Sequence, residues 1–216
     1  LSHQMAILLF KNFNETEVSQ LSFINCSLGP YMIQLLGSAS SFQKLSKFAI
    51  DNDKTIQSDD TAIYASIIEF AAVTSMTSLY LTNLSLEVSN IFRILTQQEA
   101  GLSPKLTTID LSGCKFQAGL SDTYVFPPTI HTIIMRNVKW NVENLIRFLG
   151  KQEFQNMVEL DFSSAQMKDK DFDLLSASLP IRIEDQIEAP SPMVSAIIWD
   201  SNPINPSLLK FFSMFK

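Results

Sequence analysis

Catalysis near neutral pH needs a proton carrier, an activated nucleophile or a set of metal ligands. Among 216 residues the stock is two histidines and two cysteines. His3 stands at the start of the sequence. His131 lies between Ile130 and Ile133, with no second His, Cys or carboxylate pattern to supply a partner at ligand or hydrogen-bond distance. Cys26 and Cys114 are too few for a disulfide framework and have no neighbouring zinc ligands, which suits a reducing compartment. None of the six glycines falls in a GxGxxG or P-loop arrangement, so no phosphate cradle is expected. The expectation is a chain that is not an enzyme and carries no metal and no cofactor.

What is plentiful is apolar side chain at regular spacing. The pattern LxxLxLxxN/CxL recurs. Its clearest copies are Val18-Leu21-Phe23-Cys26-Leu28, Leu106-Ile109-Leu111-Cys114-Phe116 and Val194-Ile197-Trp199-Asn202-Ile204. Four more start at Leu45, Met76, Ile130 and Met157. Counted from the second framework residue, the copies sit at 21, 48, 79, 109, 133, 160 and 197, about 29 residues apart on average. A short strand uses about a third of that length, leaving enough for a helical return.

Helix starts can be read in the return segments. Gly29-Pro30 places proline at a first helical position, ahead of Met32, Ile33, Leu35 and Leu36. Ser58 is placed to cap a helix with Ile63, Ile67, Ile68 and Ala71 on one face and Asp59 and Asp60 at its positive end. Further helices are expected over 89–100 and 142–150, after Asp169, and from Asn205-Pro206. Between Phe116 and Ile130, Pro127-Pro128 leave room for a turn or two. Residues 180–193, with Pro180, Pro190, Pro192 and the acidic Glu184, Asp185 and Glu188, read as an inserted loop.

These motifs, with cysteine at the ninth framework position in Cys26 and Cys114, resemble the ribonuclease-inhibitor-like class of leucine-rich repeats over about residues 5–215. Repeat length and helical return are similar to those of CARMIL-type and tropomodulin repeat domains. The resemblance implies an α/β solenoid, a horseshoe arc with parallel strands on the concave face and helices on the convex face. It also implies that the ninth-position side chain bonds backbone in the turn after the strand. Leu84, Val138 and Ala165 depart from that pattern, so their turns must satisfy backbone groups otherwise. Residues 1–216 are expected to form one segment of about seven repeats in a longer chain, because the apolar Met5–Phe10 run and Leu208–Phe215 lack the polar outer face of terminal units.

Alternation along each strand lists the face turned away from the core. One row is Ser22, Ala49, Tyr80, Asp110, Ile134, Asp161 and Ile198. Two residues on, the row is Ile24, Asp51, Thr82, Ser112, Arg136, Ser163 and Asp200. Asp110, Arg136 and Asp161 come from successive strands and can interact. They either form an internal charge cluster of small energetic weight or give register to a docking surface. In the second case Tyr80, Ile134 and Ile198 are the apolar anchors of a protein-binding set that also holds Asp110, Arg136 and Asp161. A formal charge of -6 gives no electrostatic basis for gripping nucleic-acid phosphates or an anionic membrane. The apolar Met5–Phe10 run is far shorter than the roughly 18 residues a membrane span needs. Asn14, Asn25 and Asn83 head Asn-x-Ser/Thr triplets, but strand-end packing is expected to limit room for a glycan at the last two.

The function expected is a non-catalytic scaffold for a protein partner, cytoplasmic and connected with the cytoskeleton. The alternatives are a structural subunit embedded in a large assembly and a regulatory repeat module of a larger enzyme.

Overall fold

The computed structural model describes residues 17–29, 44–56, 61–86, 105–115, 129–140, 159–168 and 196–198, with isolated positions at 4, 8, 42, 88, 91, 170, 171, 173, 174 and 206. Seven strands are present among the described residues: β1 (Gln20–Ile24), β2 (Lys47–Asp51), β3 (Ser78–Thr82), β4 (Thr108–Asp110), β5 (Thr132–Ile134), β6 (Glu159–Asp161) and β7 (Ala196–Ile198). They form one sheet in chain order, with every neighbouring pair parallel. The fold is therefore α/β in class, with an all-parallel sheet. The register keeps the repeat in phase: Leu21 pairs with Phe48, Phe48 with Leu79, Leu79 with Ile109, Ile109 with Ile133, Ile133 with Leu160 and Leu160 with Ile197.

One face of the sheet is continuous core, and the framework positions supply it. Phe48, Leu79, Ile109, Ile133 and Leu160 are buried in one row, and Ile50, Leu81, Leu111, Met135 and Phe162 in the next. A slip of one residue would turn every one of these side chains to the other face, so burial fixes the register.

Parallel neighbours need a crossover of a dozen or more residues. The described one is helix α1 (Thr61–Val73), between β2 and β3. Ile63, Ile67, Ile68 and Ala71, the residues expected on one face, are all buried, and Phe70 joins them. Phe70 meets Phe48 edge-on at 5.0 Å and Phe42 at 5.7 Å, which puts α1 against the core face of β2. The Ser58 cap, the other expected return helices and the 180–193 insert lie outside the described residues, apart from isolated helical positions. Among the described residues no helix is long and apolar enough to cross a membrane.

The ladder continues beyond the strands at both ends. At entry, the Ser46 N–H donates to the Ser19 carbonyl, Thr77 N–H to Ser46, Thr107 N–H to Thr77 and His131 N–H to Thr107, all at 2.8–2.9 Å. Hydroxyls repeat three of these links: Ser46 Oγ to Ser19 O at 3.0 Å, then Thr77 Oγ1 to Ser46 O and Thr107 Oγ1 to Thr77 O at 3.1 Å. At exit, the N–H groups of Asn25, Asn52, Asn83, Gly113 and Asn137 each donate to the carbonyl of the next unit, at 2.8–3.0 Å.

Candidate interaction surface

The face opposite the core is set by the same alternation, and its side chains vary from strand to strand where the core rows do not. Tyr80, Asp110, Ile134 and Ile198 are all half-buried in one row across β3, β4, β5 and β7. Register places Asp110 beside Ile134, Ile134 beside Asp161, and Asp161 beside Ile198. Adjacent strands lie about 4.8 Å apart, so this row is a compact strip.

Of the three charges expected to interact, Arg136 and Asp161 form an ion pair. Arg136 Nε donates to Asp161 Oδ2 at 2.5 Å. The guanidinium is pushed above its ordinary pKa, chiefly by that hydrogen bond and the charge of Asp161, with smaller pulls from Asp110 and Glu159. Asp110 Oδ1 accepts from the Ser112 N–H at 2.9 Å, and Asp161 Oδ1 accepts from the Ser163 N–H at the same distance. Each carboxylate thus braces the turn that follows its own strand.

Asp161 corrects one expectation. It was placed among the contact residues, yet its side chain is fully buried while Arg136 keeps a side chain 56% exposed. Flanked in register by Ile134 and Ile198, Asp161 has both oxygens engaged inside the chain, one on Arg136 and one on the Ser163 N–H. Ile24, outside the expected contact set, is 59% exposed at the β1 end of the same face.

The exits of the strands carry a feature the framework pattern did not reveal. Asn25, Asn52, Asn83, Asn137 and Ser164 have φ between 52° and 56°, and Gly113 has φ 69°. Each stands four residues after its strand's reference position, so six successive units turn out of the sheet through a left-handed residue. Asparagine and glycine are the residues that adopt this conformation at least cost. The row was visible in the sequence as a column of Asn, Asn, Asn, Gly, Asn and Ser one residue before the ninth framework position. Asn52 Nδ2 donates to Asn25 Oδ1 at 2.5 Å, while Asn83 Nδ2 donates to Asp51 Oδ1 at 2.8 Å. Asn25 and Asn83 are exposed, and both side chains are engaged in hydrogen bonds to the neighbouring unit.

At the ninth position the structure supplies a different polar group from the asparagine of the resembled pattern. Asp53 is buried, with Oδ2 accepting from the Leu28 N–H at 2.6 Å and Oδ1 from the Thr55 N–H and hydroxyl at 2.9 and 2.6 Å. Cys114 Sγ donates to the Leu81 carbonyl at 3.0 Å, whereas Cys26 Sγ turns back to Ile24 O at 3.4 Å. Both cysteines are free thiols. Past the apolar Leu84, backbone takes over: Lys115 N–H donates to Leu86 O at 3.0 Å and Val88 N–H to Lys115 O at 2.9 Å.

His131 is exposed at the entry of β5, where its N–H and carbonyl belong to the ladder. Among the described residues, no group of three or more His, Cys, Asp or Glu is arranged to hold a metal ion. No family model matches the chain, and no curated protein matches it in sequence.

Proposed function

We propose that the chain is a leucine-rich-repeat segment whose open strand face receives a protein partner without performing chemistry. The observation that carries this is the contrast between the two faces of one sheet. From β2 to β6 the core rows are apolar and buried, while the opposite row presents Tyr80, Asp110, Ile134 and Ile198 half-exposed from four strands. Seven parallel strands in chain order, one for each recurrence of the motif, support the solenoid with its strands along an inner arc and its helices outside. The packing of α1 against the core side of β2 is consistent with that division.

A stiff row of this kind binds by adding a few side chains from each unit, with aromatic and apolar anchors giving most of the affinity. The two free thiols suit a reducing compartment, and hence a cytoplasmic setting such as the cytoskeleton. The test is affinity capture with the chain as bait and quantitative mass spectrometry of what it retains. Tyr80→Ala combined with Ile134→Ser should deplete the partner while leaving the circular dichroism spectrum intact, and Lys139→Ala, in the segment leaving β5, should retain it. Equal recovery by all three proteins would move the working surface away from the strands.

A further inference from the structure

The charges on the β4–β6 part of the open face do not balance. Its described residues are Thr108, Asp110, Ser112, Thr132, Ile134, Arg136, Glu159, Asp161 and Ser163, among which Arg136 is the one cation and three are carboxylates. Asp161 takes the Nε hydrogen bond of Arg136 and accounts for its charge. Asp110 uses one oxygen on the Ser112 N–H. Glu159 makes no side-chain hydrogen bond or ion pair among the described residues, yet is near enough for its charge to be felt at Arg136. Two carboxylates are therefore left over, Asp110 beside Ile134 and Glu159 beside Thr132, with Ile198 beyond Asp161.

Resting on the docking role proposed above, we infer that the segment received here is cationic, a stretch of a protein partner in which lysine or arginine stands beside apolar side chains. The cations pair with Asp110 and Glu159, and the apolar groups pack on Ile134 and Ile198. An acidic segment fits poorly, because its carboxylate would meet three carboxylates around a single guanidinium that Asp161 already engages. The formal charge of -6 also draws a cationic partner and repels an anionic one, over a range of about 10 Å at 0.1 M salt.

The test uses three synthetic octapeptides, alternating Lys-Leu, Glu-Leu and Lys-Ser, titrated against the chain by fluorescence anisotropy. The Lys-Leu peptide should bind in a salt-sensitive way, Lys-Ser more weakly and Glu-Leu not at all. Asp110→Asn with Glu159→Gln should weaken Lys-Leu binding roughly tenfold, the scale of two exposed ion pairs. Glu17→Gln with Asp173→Asn changes net charge by the same amount away from this strip and should leave binding unaltered. Equal binding by the two double variants, or preference for Glu-Leu, overturns the inference. If Tyr80→Ala with Ile134→Ser depletes the captured partner while Asp110→Asn with Glu159→Gln retains it, the cationic specificity fails and the docking role stands. If both variants retain the partner, both fail.

Discussion

Among the described residues two carboxylates are buried, and the chain satisfies them in opposite ways. Asp53, just past β2, sits on the core side and is held only by neutral donors: two backbone N–H groups and a hydroxyl. Asp161, in β6, sits on the open side and is held by a guanidinium and one N–H. The first joins two units by backbone, since Leu28 belongs to the unit before Asp53. The second joins two units by side chain. Where a buried carboxylate serves the turns, amide donors suffice and no cation is drawn into the core. Where it serves the surface, it fixes a cation whose side chain stays largely exposed.

The difference is broken most severely at Asp53. Asp53→Ala leaves the buried Leu28 N–H and the part-buried Thr55 N–H without their acceptor and should cost about 3 kcal/mol. Asp53→Asn, which keeps one carbonyl oxygen, should cost about 1 kcal/mol. Urea melts read by circular dichroism compare the two. Similar losses would mean that the carboxylate's acceptors are not what ties β1 to β2.

At the other end, the ion pair should be asymmetric. Arg136→Met strands a fully buried carboxylate and is expected to cost about 2 kcal/mol, below the usual range for breaking a buried pair because removing the long side chain lets water approach Asp161. Asp161→Asn frees a guanidinium that is already half in water and retains an acceptor for Ser163, so about 1 kcal/mol is expected. The reverse order would mean that Arg136, not Asp161, is the desolvated partner. Folding raises the Arg136 pKa. The stability it carries is therefore complete below the ordinary arginine value and is lost only as pH climbs through the higher folded value. Between pH 6 and pH 10 the penalty of Arg136→Met should stay flat on the arginine side.

Gly113 lies at the junction of the two regions, where the asparagine column passes to glycine. A Cβ there would stand 2.2 Å from Asn83 Oδ1 and 3.3 Å from Asn83 Cα. Its φ of +69° already disfavours any side chain by about 1 kcal/mol. Gly113→Ala should cost about 1.5 kcal/mol in all and displace the Asn83 amide from Asp51. Adding Asn83→Ala should recover the part due to the collision and leave the backbone strain, which a double-mutant cycle separates.

These same sites mark the limit of what the sequence made legible. Framework spacing located every strand and told the core row from the open row, because burial of Phe48, Leu79 or Ile133 is dictated by alternation alone. It also brought Asp110, Arg136 and Asp161 together across successive strands. It did not show that Asp161 is consumed internally, since burial of a polar residue depends on what neighbouring strands place over it. Nor did apolar spacing reveal the left-handed exits, because that row is defined by backbone conformation. Asp53 was counted with the fitting copies, and its carboxylate meets the same need as the asparagine: an acceptor for the turn before it.

The smallest effect expected is at the strand entries, which are alike from β2 to β4 and so provide a baseline for both regions. Thr77→Val removes the hydroxyl that donates to the Ser46 carbonyl, a bond of 3.1 Å, while preserving shape. That carbonyl still accepts from the N–H groups of Thr77 and Ser78 at 2.8 and 3.0 Å. Nothing buried is left unsatisfied, so the loss should be about 0.5 kcal/mol. A loss as large as that of Asp53→Ala would show that the hydroxyls rather than the peptide groups hold the entries in register. Hydrogen exchange at the Thr77 and Ser78 amides distinguishes the two cases, since the peptide ladder predicts that their protection survives the substitution.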